Sequence, residues 1–157
     1  MATAARLREL GIVLPVFQEA VGTYRKCIRD GNRLLTSTHF GMDENGKLVP
    51  GKVGEGDLAT ISPVQAETLA RNAGLRLLST LSHHLGGDLD RVEQVIKLVG
   101  VVNGTPDFSG HGKVIDGCCD VLCDVLGEER GKGVRTCLGS GSLAAAVTVD
   151  LEVRVRD

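Results

Sequence analysis

The most constraining feature of this 157-residue chain is the alternation over its ten positions 147–156. Val147, Val149, Leu151, Val153 and Val155 alternate with Thr148, Asp150, Glu152, Arg154 and Arg156. Side chains of a strand point to opposite faces in turn, so this is a period-two strand with one apolar and one charged face. The apolar face must meet a core. The charged face cannot belong to that same core. A fold that ends this way needs a layer covering one side of a sheet, and the other side must meet water or another subunit.

The covering layer is legible upstream. Ser62-Pro63-Val64-Gln65 marks a helix start, with Ser62 as cap, Pro63 at the first helical position and Gln65 completing a capping box. Ala66, Leu69, Ala70, Ala73, Leu77 and Leu81 follow as one apolar stripe, and Gly86-Gly87 closes the helix. Val114, Cys118, Val121, Leu122 and Val125 form a second amphipathic helix, ended by Gly127. Tyr24–Asp30 and Arg33–His39 read as a hairpin turning at Asp30-Gly31. Val92–Val102 is a β-branched, mostly buried strand, Asn103–Gly112 is a loop, and Val134–Leu138 is a further strand. A short helix over residues 3–10 ends at Gly11. The expected order is β-β-α-β-α-β-β, an α+β fold in which two helices cover one face of one sheet. Residues 1–19 read as an N-terminal extension and 20–157 as a single domain.

Composition narrows the function. Eighteen Lys and Arg against 20 Asp and Glu leave a net charge of −2, with no Trp, one Tyr and three Phe. A nucleic-acid binder draws on a basic surface and stacking aromatics, and neither is supplied. No apolar run approaches the roughly 20 residues of a membrane span. The N-terminal ATAARLREL lacks a signal-peptide apolar region; as a transit-peptide fragment it is short and contains Glu9. Five cysteines cannot all pair within the chain, so reduced thiols and a cytoplasmic location are expected. Cys118 reads as small apolar packing, and Cys119 as a more exposed thiol. No Cys-x-x-Cys or His spacing suggests a metal. Gly139-Ser140-Gly141-Ser142 lacks the Lys of a phosphate loop.

The chemistry-bearing segment is V-R-T-C-L-G-S-G-S-L-A-A-A-V-T-V-D-L-E-V. With Arg135, Cys137, Leu143, Asp150 and Glu152 at their ungapped spacing, it resembles the closing signature of the RidA (YjgF) family. Gly22-Thr23-Tyr24 is similar to that family's Gly-Pro-Tyr. Gly31-Asn32, the run to Thr36-Ser37, and Val101-Val102-Asn103 with Pro106-Asp107-Phe108 fit as well. The N-terminal extension and L-G-I-V-L-P resemble a longer-chain branch. The resemblance implies a chorismate-mutase-like fold and a homotrimer with clefts between subunits. It implies hydrolysis of reactive 2-imino or enamine acids of the 2-aminoacrylate type to 2-oxo acids and ammonia, without metal or cofactor. By the same resemblance Arg135 anchors the substrate carboxylate and Asp150, where the family has Glu, steers water. Cys137 places its backbone carbonyl near the substrate nitrogen, and Tyr24 reads equally as a pocket wall or as simple packing. Thr38 stands where the family has the glycine behind the carboxylate.

The residue types suit that chemistry. A guanidinium presents a planar fork to a carboxylate, and an imine needs little beyond positioning and one proton-transfer group. If the last strand pairs antiparallel with Val134–Leu138, Asp150 lies beside Arg135. Glu152 is expected to have a structural role, His39 to lie at the surface. The alternatives are a non-catalytic small-carboxylate-binding or regulatory trimer and, with least support from the charge balance, an endoribonuclease.

Overall fold

A computed structural model describes residues 2–157. The elements run α1 (Ala2–Glu9), β1 (Cys27–Asp30), β2 (Arg33–Thr36), β3 (His39–Phe40), α2 (Pro63–His84), β4 (Val92–Asn103), α3 (His111–Leu126), α4 (Glu128–Gly131), β5 (Val134–Ser140) and β6 (Val147–Val155). The expected α+β order holds, with short α4 added after Gly127.

One mixed sheet carries the order β1-β2-β6-β4-β5, and β3 also pairs with β6. The terminal alternating strand is therefore central. β6 lies antiparallel to β2, β3 and β4, while β4 and β5 are parallel. Val147, Val149, Leu151, Val153 and Val155 are all buried. They pack with Leu98 and Val102 of β4 against Leu77, Leu78 and Leu81 of α2 and Val114, Cys118 and Val121 of α3 in one core. Cys118 is packing material, as its place on the apolar stripe requires.

α2 begins as the sequence predicts. The Ser62 side chain accepts from the Gln65 backbone, and Gln65 returns a bond to the Ser62 N–H. That box satisfies two orphan donors of the first turn. α2 and α3 cross at small residues. A methyl on Gly74 would stand 2.6 Å from Val121 Cγ1, and one on Gly117 would enter the carbonyl of Glu67. The helices thus approach backbone to backbone.

The N-terminal segment is laid along the helical layer. Thr3 is buried and bonds Asp90. Ser79 Oγ of α2 donates to the Pro15 carbonyl at 2.6 Å.

The hairpin is shorter than expected. β1 begins at Cys27, and Tyr24 lies in the bend before it. β2 stops at Thr36, because the chain bends at Ser37–Thr38 and sends His39 inward. His39 is 2% exposed, which corrects the surface placement. Its Nδ1 meets the Ser37 carbonyl at 2.8 Å and its Nε2 the Thr80 hydroxyl at 2.7 Å. A carbonyl only accepts, so Nδ1 carries the proton and Nε2 accepts from Thr80. Burial is the largest cause lowering the His39 pKa to about 4, with Lys26 and Arg76 acting in the same direction.

Candidate active site

Arg135 sits on β5, an edge strand, in register with Leu98 of β4. Leu98 pairs with Leu151, and both are buried under the helices. Arg135 therefore leaves the sheet on its helical side and reaches α3. Its Nη1 donates to Asp116 Oδ1 at 2.6 Å and contacts Cys119 Sγ at 3.6 Å. The pair is part-exposed, at 37% for each side chain. The Asp116 hydrogen bond, then the Cys119 contact, raises the Arg135 pKa. Among the described residues, Nε and Nη2 make no hydrogen bond. Gly112 lies against Nη2: a Cβ there would stand 3.3 Å away. One edge of the fork is held by the protein and the other is free to take an anion.

The guanidinium opens into a cleft of about 690 Å³ between α3 and the start of β5, lined by Asp116, Cys119, Asp120, Lys132 and Arg135 among others. That is the size of a small-ligand site. Cys137 follows on the same side of β5, opposite Gly100. Burial raises its thiol pKa, and nearby Arg135 opposes that shift.

Asp150 is elsewhere. β4 separates β5 from β6, which corrects the expected antiparallel pairing of the last strand with Val134–Leu138. Asp150 pairs with Val99, and Val99 with Thr136. These form a row on the open face, about 10 Å from end to end by strand spacing. Asp150 thus lies two strands from Arg135 and on the opposite face. Burial raises its pKa. Glu152, on the same face, accepts from Arg33 Nη1 at 2.6 Å, a structural ion pair of modest worth.

Tyr24 and Thr38 lie toward the other edge. Tyr24 is 47% exposed, its ring over Gly22. Thr38 is exposed in the bend between β2 and β3. Three strand spacings, about 14 Å, separate β2 from β5. One chain therefore brings Arg135 together with Cys137 but does not bring either to Asp150, Tyr24 or Thr38. Asp116 was missed by sequence reasoning. The signal available was its place on the polar flank of α3, three residues before Cys119.

Among the described residues, no His, Cys, Asp and Glu cluster has metal-ligand geometry, and no helix is long and apolar enough to cross a membrane.

One mixed sheet covered on a single face by helices is an α+β architecture. Residues 4–144 match the family described as "YjgF/chorismate mutase-like, putative endoribonuclease", and the chain belongs to it. It is 33% identical to the Trypanosoma cruzi protein TCP17 over 156 residues, 98% of this chain and 94% of that one. A crystal structure of a protein of unknown function from Agrobacterium tumefaciens is 31% identical, with a TM-score of 0.86 covering 99% of this chain and 93% of that one. A structure described as a putative endoribonuclease from Shewanella oneidensis MR-1 is 26% identical, with a TM-score of 0.89 covering 99% and 100%.

Proposed function

We propose that this protein hydrolyses small, reactive 2-imino acids to 2-oxo acids and ammonia in a cleft shared between copies of the chain. The observation that carries this reading is the half-committed Arg135 guanidinium. Asp116 fixes its direction through Nη1, while Nε and Nη2 keep their donors unspent among the described residues and the side chain lines the cleft. That geometry suits a bidentate grip on a carboxylate, which would hold C2 of the substrate at a defined place.

The reaction needs one water. Its oxygen adds to the iminium carbon, giving a carbinolamine. After proton transfer from oxygen to nitrogen, the C–N bond breaks and ammonia leaves, giving the 2-oxo acid. Asp150 is the group suited to hold that water, because its raised pKa makes it a better proton acceptor than an ordinary Asp. Asp150 and Arg135 lie on opposite faces of one sheet, so a shared site needs residues from two copies.

A homotrimer fits this requirement. The open sheet face carries the row Ile28, Leu35, Glu152, Lys97 and Val134, with Ile28 51% and Val134 64% exposed. Mixed apolar and charged side chains of this kind suit a subunit interface.

Binding without turnover is the second reading, favoured by the separation of Arg135 from Asp150 within a chain. An amino-acid oxidase that generates 2-iminobutanoate, coupled to ammonia detection, separates the two. Wild-type protein should accelerate ammonia release above the uncatalysed rate, and Arg135→Ala should abolish the increment. Calorimetric binding of 2-oxobutanoate without any acceleration would replace deamination by binding. Neither acceleration nor binding would remove both readings.

A further inference from the structure

We propose that a second, independent site binds one compact anion in a recess beneath the N-terminal strap, held by Lys26 and Arg76. The recess lies on the helical side of the sheet, between Phe17 and Gln18 of the strap, Lys26 just before β1, His39 of β3 and Arg76 of α2. It is neither the Arg135 cleft nor continuous with its lining.

The charge pattern is one-sided. Residues from three separate elements bring two cations and an imidazole to one small space, and no carboxylate lines it. Lys26 and Arg76 have no ion pair among the described residues, as is true of several other basic side chains such as Arg8, Arg25 and Lys47; what distinguishes these two is that both line one recess. Asp43, in the adjoining turn, is committed to the backbone N–H groups of Asn45 and Lys47, each at 2.9 Å.

Burial and mutual repulsion act against the charges. Burial, then Arg76, lowers the Lys26 pKa, and burial lowers that of Arg76. A concave site lined by one sign of charge focuses its field and concentrates counter-ions. Donors remain available: Lys26 Nζ has no hydrogen bond, and Arg76 spends only Nη1, on Gln18 Oε1 at 3.1 Å. Gly46 lies over Arg76 Nη2, where a Cβ would approach to 3.1 Å. A side chain at position 46 would crowd the guanidinium.

Size selects the ligand class. The enclosed volume is about 20 Å³, little above the roughly 10–15 Å³ that one water occupies on the same measure. A space this small has no room for the body of an organic substrate; it suits a monatomic anion, or one oxygen of a compact oxyanion lodged at the mouth. Once bound, the ion bridges the strap to α2 and to the strand end that carries Tyr24 and Thr38.

Thermal unfolding of the full chain tests this, with phosphate, sulfate or chloride exchanged for gluconate at constant ionic strength. Wild type should show a saturable rise in Tm with at least one ion, because a ligand that binds only the native state stabilises by mass action. Lys26→Met and Arg76→Gln should each weaken that ion at least tenfold. In gluconate alone, Lys26→Met should be no less stable than wild type, because a repulsion has been removed. If Arg76→Gln does not fold, Lys26→Met and chloride-35 relaxation on the wild type decide the matter. A rise that never saturates, or one that survives Lys26→Met unchanged, would overturn the site. Because the readout is stability, failure here leaves the deaminase reading untouched, and the reverse also holds.

Discussion

Gly117→Ala, compared with Gly112→Ala, puts the close helix crossing to a sharp test. Both glycines lie in α3, and by local propensity Ala is better than Gly in a helix interior by about 1 kcal/mol. At Gly117 the tertiary structure reverses that sign. The new methyl would stand 3.0 Å from the Glu67 carbonyl carbon and 3.2 Å from the Arg71 nitrogen, with the Glu67 oxygen closer still. All three atoms are backbone, so no side chain can swing away. Relief requires α2 and α3 to separate by about 1 Å, a gap that already forfeits a quarter to a half of each dispersion well along the seam. Overpacking of this kind costs about 1–3 kcal/mol, and a rigid backbone neighbour puts it at the upper end. After subtracting the propensity gain, the net loss is about 1–2 kcal/mol. For a chain of this size that lowers Tm by roughly 2–8 °C. At Gly112 the only neighbour within 4 Å is a side-chain terminus, Arg135 Nη2, at 3.3 Å, which can give by a few tenths of an ångström where backbone cannot. Gly112→Ala should leave Tm within about 2 °C of wild type. Circular dichroism melts at matched concentration measure both. If Gly117→Ala melts at or above the wild-type temperature, the close crossing of α2 and α3 is wrong.

Two further outcomes follow from one buried and one half-buried ionisable group. His39 is held neutral, its pKa lowered from 6.5 to about 4; its contribution is therefore present above pH 6.5 and lost as pH falls toward 4. Wild type should lose up to about 3 kcal/mol more than His39→Gln across that window in urea titrations, and parallel acid limbs would refute the assignment. The Asp150 pKa is raised by burial above 3.8, so the folded state holds the proton longer than the unfolded one, and stability is lost as pH rises from about 3.8 through the native pKa. Asp150→Asn should raise Tm at pH 7, lose that gain below pH 4, and abolish ammonia release. An Asp150→Asn protein less stable at pH 7, or fully active, would contradict this account.

The sequence alone determined the long elements and one face of the sheet, but not the short β3 and α4. The alternation from Val147 to Val155 is a local period, and its apolar half is buried as that period demands. The Ser62–Gln65 box and the apolar stripe of α2 are equally local, because cap and periodicity act within a few turns. Arg135 was legible as a residue of interest, but its surroundings were not. Whether β5 lies beside β6 or beyond β4 depends on which edges pair, and no stretch of sequence encodes that locally. The pairing alone separates Asp150 from Arg135. Asp116 reaches Arg135 across 19 residues, and Lys26, His39 and Arg76 converge only because β1, β3 and α2 stack. The inward turn of His39 is the same kind of outcome. A solvated histidine and a buried one look identical in sequence until the hydroxyl of Thr80, 41 residues away, is brought within 2.7 Å. Periodicity fixes which way each side chain faces, while long-range packing decides what it meets.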